Sequence, residues 1–167
     1  MAELEKKNET ALTSFGSGSS GDFSSGSSED TGFEGWLLKF GTQEFPMEYV
    51  EEDGYTCTPN QRQETKAWQD NNGNLKRNTA SHQRTKIEIT TMEELTTSQV
   101  QSIMRVMRSS IIDKRQRKYK ITYWNDEDGA YKDAIVYIPD IPFKYKMLDK
   151  EKGTSIYKSF RIALIEY

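Results

Sequence analysis

The stretch Leu95-Thr96-Thr97-Ser98-Gln99-Val100-Gln101-Ser102-Ile103-Met104-Arg105-Val106-Met107 decides the fold. Thr96 followed three residues later by Gln99 has the spacing of a capping box, in which two side chains satisfy backbone donors that the first helical turn leaves open. Leu95 and Val100 flank the box as a hydrophobic staple. Val100, Ile103, Met104, Met107 and Ile111 then recur at the helical period, which predicts a helix over about 96–112 with one apolar face turned to the core. Apolar residues elsewhere alternate with period two, so the surface under that face is a sheet. The fold class is therefore mainly β (α+β): a β-sandwich or barrel with one packed amphipathic helix.

After the helix, Tyr119, Ile121 and Tyr123 line one face of a strand, Asp126-Glu127-Asp128-Gly129 turns the chain, and Tyr131, Ile135 and Tyr137 alternate on the return. Pro139 and Pro142 bound the next crossing, Phe143, Tyr145 and Met147 alternate, and Gly153 marks a turn. Phe160, Ile162 and Leu164 form one face of a further strand, expected to lie pinned inside the sheet.

Ahead of the helix, Trp36-Leu37-Leu38-Lys39-Phe40 opens the domain, Gly41-Thr42 turns it, and Pro46 ends a short strand. Residues 47–58 are strand-like, with Asp53-Gly54 expected as a hairpin turn. A second hairpin spans 67–90 around Asp70-Asn71-Asn72-Gly73. It is polar: from Asn74 to Lys86 only Leu75 and Ala80 are apolar. Such an arm has no core of its own, and a long bare edge calls for a partner. Trp68, Asn72, Gly73, Leu75, Lys76, Arg77 and Arg84 are the candidate subunit-interface residues.

Of the 167 residues, 1–54 carry twelve acidic and three basic side chains, and 55–167 carry fourteen acidic and twenty basic. Residues 1–35, rich in Ser and Gly and spaced by Phe15, Phe23 and Phe33, read as a flexible acidic arm ahead of a single domain at 36–167. Cys57 and His82 are the only cysteine and histidine, so the chain holds neither an internal disulfide nor a Cys/His zinc site. Cys57 lies in a strand-like run and His82 in a polar one, which favours a half-buried thiol and a solvated imidazole over a nucleophile and its base. The two Asp/Asn-Gly segments place Trp68 and Trp124 where a calcium loop needs its first acidic ligand, so both are turns. No phosphate loop, nucleophile elbow or pair of carboxylates in an unusually apolar setting is present, and no catalytic, metal or cofactor-binding residue is implied. No window nears the roughly 20 apolar residues of a membrane-spanning helix, so a soluble protein made in the cytoplasm is expected. The basic run Lys114-Arg115-Gln116-Arg117-Lys118 is expected to complement the helix dipole as a solvated face, with phosphate contact the alternative.

The polar segment Asp70-Asn71-Asn72-Gly73-Asn74-Leu75-Lys76-Arg77-Asn78, its continuation Gln83-Arg84-Thr85-Lys86-Ile87-Glu88-Ile89, the capped Leu95-Thr96-Thr97, Lys118-Tyr119-Lys120-Ile121-Thr122-Tyr123 and the final Phe160-Arg161-Ile162-Ala163-Leu164-Ile165-Glu166-Tyr167 together resemble a family of small prophage and tailed-phage structural proteins. The resemblance covers about residues 36–167 and implies a tail-tube-like fold whose long hairpin contacts the next subunit of a ring. It implies a non-enzymatic virion component at the tube, tube end or baseplate hub, made in the host bacterial cytoplasm. The implied partners are further copies of the chain, other tail or baseplate proteins, and DNA or a tape-measure protein in a lumen. The alternative from the residues themselves is a monomeric β-sandwich binding module for a saccharide or peptide, with Trp36, Trp68 or Trp124 as a stacking platform.

Overall fold

The computed structural model describes residues 32–167. In chain order the elements are β1 Leu38–Phe40, β2 Gln43–Glu44, a single 3-10 turn Met47–Tyr49, β3 Val50–Gln69, β4 Leu75–Thr91, β5 Leu95–Thr96, α1 Thr97–Arg108, β6 Ile111–Asp113, β7 Lys118–Asn125, β8 Ala130–Tyr137, β9 Tyr145–Asp149, β10 Thr154–Tyr157 and β11 Arg161–Glu166. The fold is mainly β with one helix, as the alternation predicts. One antiparallel sheet runs β2-β1-β7-β8-β11-β4-β3 with β6 added on β7, and a smaller one runs β5-β10-β9.

The larger sheet curls into a barrel. Three ladder steps separate β7 from β4, about 14 Å in a flat sheet, yet the hydroxyls of Tyr123 and Thr85 lie 2.8 Å apart. Five steps separate β1 from β3, and still the Tyr55 hydroxyl reaches the Leu37 carbonyl at 3.5 Å. β3 thus meets the start of β1 through a side chain, without a backbone ladder. Inside, Phe40, Ile89, Ile121, Ile162 and Leu164 are wholly sealed from solvent. β11 lies between β8 and β4, so the terminal alternation is indeed internal to the sheet. On β8 and just past its end the core takes Ala134, Val136 and Ile138, and the alternate residues Ile135 and Tyr137 face outward. Phe143, Tyr145 and Met147 also keep much of their surface exposed.

α1 begins at the capping box, where the Thr96 N–H donates to Gln99 Oε1 at 2.8 Å and the Thr96 hydroxyl to the same oxygen at 2.9 Å. Leu95, Val100, Ile103 and Met107 are buried. Two expectations fail here. Met104 is only partly buried, and Ile111 lies beyond the helix in β6, half-buried opposite Tyr119. The helix stops at Arg108, where the Ser109 N–H donates to Val106 O at 3.1 Å and the single hydroxyl proton of Ser109 is shared between Val106 O at 2.6 Å and Phe40 O at 3.0 Å, which fastens the last turn to β1. The β-branched Ile111-Ile112 pair then suits a strand better than another turn.

Asp53-Gly54 is not a hairpin turn. Val50 pairs with Thr91 and Tyr55 with Ile89, so residues 51–54 together oppose Thr90 alone. This is a bulge within one strand of 20 residues. A Cβ on Gly54 would stand 2.4 Å from the Thr90 carbonyl oxygen, which explains why a residue without one sits there. The same signal that reverses a chain in a hairpin here expels three acidic residues from a ladder.

Residues 1–31 lie outside the described part of the chain, and with them Phe15, Phe23 and most of the expected arm. Phe33 belongs to the domain, 5.1 Å edge-on to Trp124 and stacked at 6.3 Å on Tyr131, and the Glu34 N–H donates to the Tyr131 hydroxyl at 3.0 Å. The boundary expected at Trp36 therefore falls earlier.

Candidate functional site

β3 and β4 continue past the barrel as a two-stranded arm. Pairing holds register from Tyr55–Thr58 opposite Ile89–Lys86, slips at Pro59-Asn60, resumes with Gln61 and Arg62 opposite Arg84 and Gln83, slips again on either side of Glu64, which faces Thr79, and then runs from Lys66 opposite Asn78 to Gln69 opposite Leu75. Asn60 adopts φ 49°, a left-handed conformation that asparagine tolerates well, and it marks the shoulder where the arm leaves the barrel. From Gln61 to Gln69 the arm runs about 28 Å. Nearly all of its side chains are exposed. It leaves by the barrel end that carries the β7–β8 turn, opposite the end that carries α1.

The tip is rigidly built. Asp70 accepts from the Asn72 N–H at 3.0 Å and the Asn74 N–H at 2.9 Å, Gly73 donates to the Asp70 carbonyl at 2.9 Å, and Gly73 takes φ 81°. These donors, first the Asn74 amide, hold the Asp70 carboxyl below its usual range. Lys76 lies 3.8 Å from Asp70, and Arg77 Nε donates to Glu64 at 2.6 Å. Trp68 is 42% exposed and Leu75 63%. Trp68 faces Lys76 across the ladder while Leu75 faces Gln69, so the two apolar residues occupy opposite faces of the ribbon. The seven expected interface residues thus share the arm, but Trp68 and Leu75 do not form one patch.

The base is clamped by residues that sequence spacing does not bring together. Arg62 donates to Glu127 at 2.8 Å, and Asn60 Nδ2 reaches Glu127 and Asp128 at 3.0 Å each. Asn125, wholly buried, holds that turn: its Oδ1 accepts from the Glu127 and Asp128 N–H groups and its Nδ2 donates to Asp128. Lys132 also pairs with Asp128. Hydrogen bonds from Arg62 and Lys132 respectively lower the Glu127 and Asp128 carboxyls. The Asp126-Glu127-Asp128-Gly129 segment is a turn, as expected, but also the clamp on a segment 65 residues away in sequence.

A cavity of about 400 Å³ opens beside this base, lined by Gln61, Arg62, Gln63, His82, Arg84, Thr85, Lys86 and Ile165. Arg62, Arg84 and Lys86 stand on its walls, Arg62 paired with Glu127 and Lys86 with Glu88, and Glu166 accepts from the Thr85 N–H beside them, which leaves Arg84 without an ion pair among the described residues. His82 Nε2 lies 2.8 Å from the Tyr167 carbonyl oxygen.

Cys57 sits half-buried in β3, its thiol donating weakly to Trp124 O at 4.0 Å. Burial, helped by Asp126, pushes that thiol up to about 11. It pairs with Ile87, five positions from His82, about 16 Å along the ladder; the two form no nucleophile pair. The run 114–118 is not at the helix end. The cations of the last helical turn are Arg105 and Arg108. Lys114 to Arg117 lie in the β6–β7 turn, where Asp113 accepts from the Arg115 and Gln116 N–H groups and Arg117 pairs with Asp140. The tryptophans of the stacking-platform alternative use their faces on neighbours: Trp36 stacks on Tyr131 at 3.8 Å under Lys39, and Trp124 meets Tyr131 edge-on at 5.0 Å. Trp68 stands apart on the arm beside Lys66. Among the described residues no three His, Cys, Asp or Glu side chains are placed to hold a metal ion, and no helix is long and apolar enough to cross a membrane.

No curated protein and no solved structure matches the chain. A family model matches residues 31–167, which include the barrel, its helix and the whole arm, and the chain belongs to that family, a family of unknown function (DUF6711).

Proposed function

We propose that the chain is a non-enzymatic structural subunit of a phage or phage-like tail, at the tube, tube end or baseplate hub, assembling as a ring through its arm. One observation carries this reading. A barrel that already closes through side chains continues two of its strands for about 28 Å into solvent, builds a hydrogen-bonded tip on them and clamps them at the base. The ribbon has no core beneath it, and its two outer edges keep backbone groups free to pair with a neighbouring sheet. A projecting arm on one copy and its acceptor on the next make a heterologous contact, which closes into a ring when the rotation permits. In the assembled tail the partners are other tail or baseplate proteins, with DNA or a tape-measure protein in the lumen.

The test removes the paired segments 66–69 and 75–78, which joins the tip to Thr65 and Thr79 and keeps the alternation of faces. Light scattering after size exclusion, and negative-stain images, should show rings for the intact chain and folded monomers for the shortened one. Rings from the shortened chain at the normal level, or an intact chain that stays monomeric at every concentration, refute the reading.

A further inference from the structure

The barrel strand that carries the arm also carries, at its other end, the acidic bulge. Glu51, Glu52 and Asp53 are all exposed and Glu48 precedes them. Residues 47–54 hold four acidic side chains and no basic one. None of these four makes an ion pair among the described residues. The bulge is fixed in place by Gly54, packed against the Thr90 carbonyl. The arm has the opposite character: residues 61–84 carry five Lys or Arg against two Asp or Glu, a net charge of +3. At its base lies the concavity of about 400 Å³ with Arg62, Arg84 and Lys86 on its walls. Arg62 is partnered by Glu127 and Lys86 by Glu88, but Arg84 makes no ion pair among the described residues.

We infer that this cationic concavity receives the Glu51–Asp53 bulge of a second copy, so that copies join head to tail along the β3 direction. The inference rests on the assembly reading above and supplies its acceptor. Bulge and concavity lie about 13–20 Å apart along β4, from Thr90 to Lys86 and Arg84, too far to meet within a chain. The exposed acidic bulge and the hollow walled by Arg62, Arg84 and Lys86 are opposite in charge. Each copy offers one of each, so the contact is heterologous and propagates from copy to copy. Electrostatic matching of this kind sets orientation and register and excludes the like-charged approaches of arm to arm and bulge to bulge.

Charge reversal tests it. Arg84→Glu and Glu52→Arg alter exposed side chains, and circular dichroism checks that the variants fold. Each alone should weaken self-association, read by analytical ultracentrifugation, by at least about tenfold. The two reversals in one chain should restore it, as should mixing the two single variants, because each then meets an opposite charge. Raising salt from about 0.1 to 1 M, which shortens the screening length from about 10 to about 3 Å, should weaken the native protein. Single variants that associate normally, or a double reversal as dissociated as the singles, overturn the inference while leaving the assembly reading in place if the native chain still forms rings. A native chain that stays monomeric refutes both. Loss of duplex DNA binding in Arg84→Glu, with self-association unchanged, assigns the concavity to a nucleic acid and also overturns the inference.

Discussion

Replacing Tyr123 by Phe removes one hydroxyl from the barrel interior and tests whether the sheet is closed. Tyr123 is 2% exposed and Thr85 3%, and the two oxygens stand 2.8 Å apart. Burial raises the Tyr123 phenol above its ordinary range, so the group is a neutral hydroxyl at any moderate pH. Tyr123→Phe leaves the Thr85 hydroxyl without this partner, at a cost of about 1–3 kcal/mol. Thr85→Val leaves the tyrosine hydroxyl in the same position and should cost a similar amount. The Thr85 N–H keeps its own partner, Glu166, at 2.7 Å, so the valine variant isolates the side-chain bond. In the double variant both polar atoms are gone, and its destabilisation should fall short of the sum of the singles by about 1–2 kcal/mol. Urea titration followed by tryptophan fluorescence measures this as a shift in midpoint at constant slope. For a domain of this size 2 kcal/mol corresponds to roughly 5–10 °C in Tm. Strictly additive singles would refute the closure, because in an open sheet the two hydroxyls stand in solvent on separate strands and do not couple.

Three further outcomes follow from the packing. Gly54→Ala forces a Cβ to within 2.4 Å of a backbone oxygen and should lower stability by about 2–3 kcal/mol; an unchanged urea midpoint would mean that the bulge is not built as described. Ile103→Asp places an unpaired charge in a fully buried site and should abolish folding, whereas Met104→Asp, on the helix flank, should cost only about 1–2 kcal/mol; equal effects in thermal melts would refute the helix orientation. With its thiol near 11, Cys57 should be about a thousandth thiolate at pH 8, so iodoacetamide should label the folded protein at least about 100-fold more slowly than the urea-unfolded chain; comparable rates measured by mass spectrometry would show the residue to be open.

The helix was legible because its signals are local. Thr96 and Gln99 are three residues apart, and the period of Val100, Ile103 and Met107 needs no knowledge of what lies opposite. The far end was less so: Ser109 fastens the last turn to Phe40 O, and nothing in the spacing announces a carbonyl 69 residues earlier. Alternation located most strands but not their inner face on β8, where burial follows the register with Tyr119 and Ile121 and not residue size. Asp53-Gly54 misled because glycine serves a turn and a bulge by the same freedom from a Cβ, and only the partner strand tells them apart. The arm's tip was plain from Asp70-Asn71-Asn72-Gly73. Its clamp at Asn60 and Arg62 was invisible, since ion pairs across 65 residues leave no pattern in composition.

β11 has a consequence for the order of events in biosynthesis. It is the last barrel strand to emerge, yet its ladders to β8 and β4 are what join the β1-β7-β8 meander to the β3-β4 ribbon. Until residues 161–166 arrive, two half-sheets wait side by side with Ile87, Ile89, Ile121 and Val136 unshielded, and closure depends on contacts distant in sequence, which are slow to form. The barrel is therefore at its stickiest just before β11 is made, and a ribosome that stalls in that interval leaves two open apolar sheets for a chaperone or a neighbouring chain to cover.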